Sequence, residues 1–171
     1  MGAIAPSSKR LAEMMLLEFK PGEFVVEVGT GTGAITRIIR QRLADPKQYI
    51  GFDINREFIE KLSGTFPDLN FVQDSAENLP AHFQNGAQSG YVVCSLPWAI
   101  WPSEHQERIL NGIIEPLKEG GHFATFAYWP MLYWPVGLTF RKLLKKTFKK
   151  VEVTPIVWGN LPPAVVYVCT K

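Results

Sequence analysis

Apolar residues along this chain fall into short unbroken runs, separated by longer stretches in which they recur every three or four positions. The unbroken runs predict strands buried on both faces, and the three-to-four spacing predicts helices with one buried face. Pro6-Ser7-Ser8 can start a helix, and Leu11, Met14, Met15 and Glu18 space it over 9–19 until Lys20-Pro21-Gly22 stops it. Phe24-Val25-Val26-Glu27-Val28 is the first strand, apolar except at Glu27. Ile35, Ile38, Ile39 and Leu43 then mark a helix over 34–43, closed by Asp45-Pro46. The same rules predict strands over 48–53, 69–73, 90–96 and 122–128, and helices over 56–66, 103–117 and 137–149. Two last strands, over about 151–158 and 164–170, flank the turn Gly159-Asn160-Leu161-Pro162-Pro163.

Strands that alternate with helices imply an α/β fold with a mostly parallel sheet and helices on both faces. The turn before the last strand is too short for a crossover, so that strand is expected to run antiparallel. The result is a seven-stranded, Rossmann-like sheet. With 171 residues, the expectation is a single domain over 1–171. A hydrophobic content of 46% with 20% charged residues argues against disorder. Cys94 and Cys169 lie far apart in apolar runs, which suits neither a disulfide framework nor a zinc site and points to a reducing, cytoplasmic compartment. No apolar run approaches the ~18–20 residues of a spanning helix. The start of the chain lacks a basic-then-apolar leader pattern, and Pro6 stands where a myristoylation motif wants Ser or Thr.

Glu27-Val28-Gly29-Thr30-Gly31-Thr32-Gly33 joins a predicted strand to a predicted helix. Glycines there allow a sharp turn and a close approach of ligand to main chain. Gly29, Gly31 and Ala34 also fit a dinucleotide fingerprint, with Asp53 near the place of its ribose acid, so the loop alone leaves the ligand open. Asp53, Asp74 and Ser95 end the second, third and fourth strands, where open α/β sheets bind ligands. Asp53 can accept two hydrogen bonds from a ribose diol. The alternative is that Asp53 and Asp74 are solvated helix caps.

An acid two residues before the first glycine, Asp74 after the third strand and a terminal antiparallel strand together resemble class I S-adenosylmethionine-dependent methyltransferases. That resemblance implies a cofactor site at Glu27, Gly29, Thr30, Gly31 and Gly33, with Asp53 and Ile54 at the ribose. It also implies that Asp74, Ser75 and Ala76 lie at the adenine and that Ser95 lies beside the reacting end.

Val92-Val93-Cys94-Ser95-Leu96-Pro97-Trp98 closes the fourth strand. It is similar to the Asn/Asp/Ser-x-Pro-aromatic turn of amine methyltransferases, which holds N–H groups so that the nitrogen lone pair faces the methyl. The plainer alternative is that Pro97 ends the strand and Trp98 packs on the next helix. Four segments together resemble the bacterial phospholipid N-methyltransferases, which methylate phosphatidylethanolamine: Gly2-Ala3-Ile4-Ala5-Pro6-Ser7-Ser8, the glycine loop, Ser95-Leu96-Pro97, and Trp158-Gly159-Asn160-Leu161-Pro162-Pro163-Ala164. Phe126-Ala127-Tyr128 resembles the aromatic end of that family's fifth strand. The resemblance implies that Ser95, Leu96, Pro97 and Tyr128 position the amine, that Ser7 or Ser8 approaches the cofactor carboxylate, and that no metal takes part. In that family a further helix precedes the Gly-Ala stretch, and Ser-Gly stands where this chain has Cys94-Ser95.

The net charge of +2 is a cancellation. Residues 1–120 hold 11 Lys/Arg against 15 Asp/Glu, whereas residues 121–171 hold 7 against 1. Six of those seven are Arg141, Lys142, Lys145, Lys146, Lys149 and Lys150, on a helix just after Trp129, Met131, Leu132, Tyr133 and Trp134. Interfacial aromatics beside a basic amphipathic helix suit an anionic membrane, each cation there contributing about 1 kcal/mol. A basic stripe also suits RNA, or solvent alone.

The expectation is therefore methyl transfer from S-adenosylmethionine to an amine, foremost the phosphatidylethanolamine headgroup, by a peripheral protein on the inner face of the membrane. Ser95-Leu96-Pro97-Trp98 also resembles the motif of RNA adenine N6-methyltransferases, which keeps RNA as an alternative substrate. A non-catalytic cofactor- or lipid-binding protein and a dinucleotide-binding module complete the set.

Overall fold

Seven apolar runs hydrogen-bond side by side in the computed structural model, which describes residues 8–83 and 86–171. The strands are β1 (Val25–Val28), β2 (Tyr49–Asp53), β3 (Asn70–Gln73), β4 (Ser89–Cys94), β5 (Leu117–Tyr128), β6 (Lys150–Val153) and β7 (Ala164–Thr170). The helices are α1 (Lys9–Met14), α2 (Ala34–Arg42), α3 (Arg56–Thr65), α4 (Ser103–Ile114) and α5 (Pro135–Thr147). The sheet order is β3-β2-β1-β4-β5-β7-β6, with β7 antiparallel to both neighbours. The α/β class and the reversed last strand are as expected.

Alternate residues of each strand feed two cores. Val26, Phe52, Val92 and Phe123 pack under α4 and α5, against Ile109, Ile113, Phe140 and Leu144. Val25, Tyr49, Val93 and Ala124 face α1 and α2, against Leu11, Met15, Ile35 and Ile39. Cys94 and Cys169 are free thiols, and burial raises both to about 12.

Three elements depart from the sequence pattern. The helix predicted to reach residue 19 ends at Met14, where the chain tightens into turns: Leu16 N donates to Glu13 O three residues back. Leu16 and Phe19 are still buried. β5 starts at Leu117, absorbing the expected turn as an irregularity around Gly120, whose φ is +72°. β6 stops at Val153 because Pro155 has no N–H for the ladder. Pairing resumes only as the single bridge from Val157 to Ala164.

Candidate active site

β1 delivers the chain into residues 29–33, where Gly29, Gly31 and Gly33 adopt φ of +77°, +50° and +82°. Side chains resist such angles, which explains the glycines. Two neighbours hold the loop. Gly29 N donates to Phe52 O at 2.8 Å and Gly31 N to Asp53 Oδ2 at 2.8 Å, while a Cβ at Gly29 would lie 3.2 Å from the Leu96 side chain. A Cβ at Gly33 would collide with Leu62 of α3 at 2.5 Å. At Gly31 it would meet nothing within 4 Å, so the loop offers its backbone to a ligand on that side.

Glu27, two residues before this loop on β1, is fully buried. Its Oε2 accepts from Tyr49 Oη at 2.7 Å and Thr36 Oγ1 at 2.8 Å, joining the first turn of α2 to β2. Oε1 has no partner. Loss of solvation raises the carboxyl to about 7, against the lowering effect of the two hydroxyls. Gly51 makes the arrangement possible, since a Cβ there would sit 2.5 Å from the Tyr49 hydroxyl. Neither Tyr49 nor Gly51 stands out in the sequence, where each simply belongs to an apolar strand.

Asp53 ends β2 half-buried. Besides Gly31 N, it accepts from Asn55 N at 2.9 Å, which leaves part of its acceptor capacity unused. Ile54 beside it is 75% exposed. Asp74 follows β3. Its Oδ1 accepts from Ser75 N and Asn78 Nδ2, both at 2.7 Å, and its Oδ2 lies 2.9 Å from His82 Nε2. The His82 and Asn78 bonds hold its carboxyl below the usual range. Ser75 caps the following 3-10 turn through Glu77 N, and Ala76 is buried in the core. His82, which has no role in the sequence pattern, also packs edge-on against Phe52 at 5.1 Å.

At the end of β4, Ser95 N donates to Val28 O at 2.8 Å, and Ser95 Oγ is buried without a hydrogen-bond partner. Pro97 is exposed, and Trp98 is buried, stacked on Phe140 at 4.6 Å. Trp98 Nε1 donates to Thr125 Oγ1 at 2.9 Å, which donates in turn to Cys94 O at 2.9 Å. Gln106 Nε2 donates to Trp98 O at 2.6 Å. Trp98 does pack as the plainer alternative has it, and that packing is what fixes the Ser95–Pro97 turn. Tyr128, at the end of β5, packs with Phe126 on the same face of the sheet as Val93. Partial burial raises its phenol.

Ser8 caps α1 by accepting from Leu11 N, and its own N donates to Asn160 Oδ1 at 3.0 Å. Ser7 and the stretch before it lie outside the described residues. Asn160, 4% exposed, also donates from Nδ2 to Pro162 O at 2.8 Å. This side chain joins the start of α1 to the turn at 159–163, two segments at opposite ends of the sequence. Asn160→Ala removes both bonds, which is expected to cost about 2–3 kcal/mol and to lower Tm by roughly 5–10 °C. A thermal melt unchanged within a degree would show that the turn is pinned by other contacts.

The cations after residue 140 are less free than their sequence suggests. Lys146 pairs with Glu107 at 3.5 Å, Lys149 with Glu119 at 2.5 Å and Lys150 with Glu152 at 2.9 Å. Arg141, Lys142 and Lys145 have no carboxylate within 4 Å among the described residues. Among those residues, no three His, Cys, Asp or Glu side chains group as a metal site, and no helix is long and apolar enough to cross a membrane.

A parallel sheet whose last strand reverses between β5 and β6, with a glycine loop after β1, is the architecture of class I S-adenosylmethionine-dependent methyltransferases. The chain belongs to the methyltransferase-domain family, which it matches over residues 25–121. It is 27% identical over 174 residues to an ornithine lipid N-methyltransferase of Singulisphaera acidiphila, covering 98% of this chain and 86% of that one. Its fold is shared with the N-methyltransferase NodS from Bradyrhizobium japonicum, at TM-score 0.74, 11% identity and coverage of 95% and 93%. It is shared as well with a TehB-like methyltransferase from Corynebacterium glutamicum, at TM-score 0.70, 18% identity and coverage of 94% and 86%.

The cofactor of this enzyme is S-adenosylmethionine. The residues present fit it: an open backbone at Gly31, a carboxylate with spare lone pairs at Asp53, and a buried hydroxyl without a partner at Ser95.

Proposed function

We propose that this methyltransferase acts on the amine of a membrane lipid, with the phosphatidylethanolamine headgroup as first candidate and an ornithine lipid as second. The observation that carries this is the unpartnered Ser95 Oγ, set in a rigid turn beside the glycine loop. A resemblance to phospholipid N-methyltransferases over four segments supports it, as does the similarity to an ornithine lipid N-methyltransferase.

The bound cofactor supplies an electrophilic methyl group on a sulfonium centre. The backbone of residues 29–33 admits it, Asp53 accepts hydrogen bonds from its ribose, and Asp74 accepts from its adenine. Glu27 acts by holding the loop, with Ile54, Ser75 and Ala76 as the site's outer walls and Ser8 at its far end. Ser95 Oγ and the backbone at Leu96 and Pro97 accept from the amine N–H groups and turn the lone pair toward the methyl carbon. The nitrogen must first lose a proton. Tyr128 stays a neutral phenol because its pKa is raised, so it positions the amine and the proton leaves to solvent. Turnover on the ethanolamine lipid is therefore expected to rise about tenfold per pH unit until the amine itself titrates, near the lysine value of about 10. A flat profile between pH 7 and 9 would place a base in the site.

The protein is proposed to work at the cytoplasmic face of a membrane, meeting anionic lipid through Trp129, Tyr133 and Trp134 and the unpaired cations of α5 that follow them. Labelled S-adenosylmethionine offered with phosphatidylethanolamine vesicles, ornithine lipid vesicles or ribosomal RNA tests the substrate. Label in a lipid amine supports the proposal, and label in RNA alone overturns it.

A further inference from the structure

The basic face of α5 does not account for an exposed aromatic surface that begins next to Tyr128. Trp129 follows Tyr128 directly, and its N donates to Pro163 O at 2.7 Å. Its ring packs with Tyr133 at 6.3 Å and with Trp158 at 5.7 Å. Two loops far apart in sequence thus meet in one rim. Around it Tyr133 is 71% exposed, Trp134 57%, Trp158 66% and Leu161 81%. Single exposed apolar residues are ordinary, but a contiguous patch of this kind marks a contact surface.

Charge indicates what it contacts. In the register of the sheet, Lys150 pairs with Thr170, and Thr170 with His122, whereas Tyr128 pairs with Ala164. Six residues of strand separate those positions, about 20 Å. Lys149 and Lys150 therefore stand at the far end of the molecule from the rim, each on a carboxylate. Arg141 and Lys142, without such partners among the described residues, lie at the middle of α5, about 10 Å along the helix from Trp134, whereas Lys145 and Lys146 fall in its last turn. Trp and Tyr rings next to free cations match the lipid–water boundary, where the ring sits among acyl carbons and its N–H or O–H reaches the headgroups.

Resting on the lipid-amine reading, we infer that Trp129, Tyr133, Trp134, Trp158 and Leu161 form an insertion rim that seats the mouth of the site on an anionic bilayer. Arg141 and Lys142 lie at headgroup level, and Lys146, Lys149 and Lys150, farther along the chain, lie away from the membrane. A lipid amine then reaches Ser95 and Tyr128 without leaving the bilayer.

Flotation of the full chain with phosphatidylglycerol–phosphatidylcholine vesicles, which hold no amine substrate, tests this. The rim variant Trp158→Ser/Leu161→Ser is expected to bind at least about tenfold more weakly, having lost two large apolar side chains. The variant Lys146→Gln/Lys149→Gln/Lys150→Gln is expected to stay within about twofold, because its cations are distant from the surface and already paired. Calorimetric affinity for S-adenosylmethionine, unchanged in both, shows that each is folded. Rim-variant binding like that of the parent, or loss confined to the lysine variant, overturns the inference. A dimer in the parent that the rim variant loses, with vesicle binding intact, assigns the rim to a second copy and overturns it too. The lipid-amine reading fails separately. In that case the parent floats with vesicles, yet labels no detergent-dispersed lipid amine.

Discussion

Asp53→Ala is expected to weaken S-adenosylmethionine binding by at least about 100-fold while the chain stays folded. The carboxylate is proposed to accept two hydrogen bonds from the cofactor's ribose, and bonds to a charged acceptor contribute about 1.5–3 kcal/mol each. Together these amount to about 3–6 kcal/mol, roughly a hundredfold to ten-thousandfold in Kd. The side chain also anchors the glycine loop by accepting from Gly31 N at 2.8 Å, with Thr30 Oγ1 at 3.5 Å. The variant therefore has to order that loop on binding as well. Asp53→Asn keeps one acceptor and turns the other into a donor, so its loss should fall between parent and alanine. Titration calorimetry on the three proteins measures this directly. A Kd for the alanine variant within threefold of the parent would mean that the cofactor's ribose lies elsewhere.

Much of the framework is legible because a doubly covered sheet leaves simple marks. The strands β1, β2, β4 and β7 are buried almost throughout, β5 is buried at Phe123–Thr125 near its middle, and β7 spans the run predicted for it, 164–170. What the pattern misses depends on contacts between distant residues. Periodicity cannot see that helical bonding in α1 tightens after Met14, and the apolar run after 150 conceals that Pro155 breaks the ladder. The positions of Asp53 and Ser95 follow from strand ends alone. The state of Asp74 does not, because His82 and Asn78 reach it from a segment that reads as an unstructured connection. The basic stretch misleads in the same way. Half of its cations are matched: Lys146 by Glu107 of α4, Lys149 by Glu119 of β5 and Lys150 by Glu152 two residues on in β6. Counting charge along the chain records the source of a field but not its neutralisation.

Glu27 supplies the second large expectation, a stability that falls as pH rises through a range where carboxylates usually have the opposite effect. Its carboxyl titrates near 7 in the folded protein against an ordinary value of 4.5. Between those values the folded chain holds a proton that the unfolded chain has released, so raising the pH favours unfolding. The contribution is present below about 4.5, is lost progressively up to about 7 and is constant beyond. Two to three pKa units correspond to about 3 kcal/mol, or roughly 6–12 °C in Tm for a chain of this size. Asp74 and Glu119, whose values are lowered by partners, work in the opposite direction at lower pH. The informative quantity is therefore the difference between parent and Glu27→Gln, in which those groups cancel. The amide oxygen of that variant can accept from Tyr49 and Thr36 as Oε2 does, and its NH2 takes the place of the unpartnered Oε1 at a cost of about 1–3 kcal/mol. Glu27→Gln is thus expected to be the less stable protein at pH 5 and to match or exceed the parent at pH 8. Glu27→Ala, which strands both hydroxyls, should be destabilised at every pH. Parallel Tm–pH curves for parent and Glu27→Gln would show that the buried carboxyl does not titrate near 7. The glycine loop would then rest on a carboxylate that is charged throughout the range.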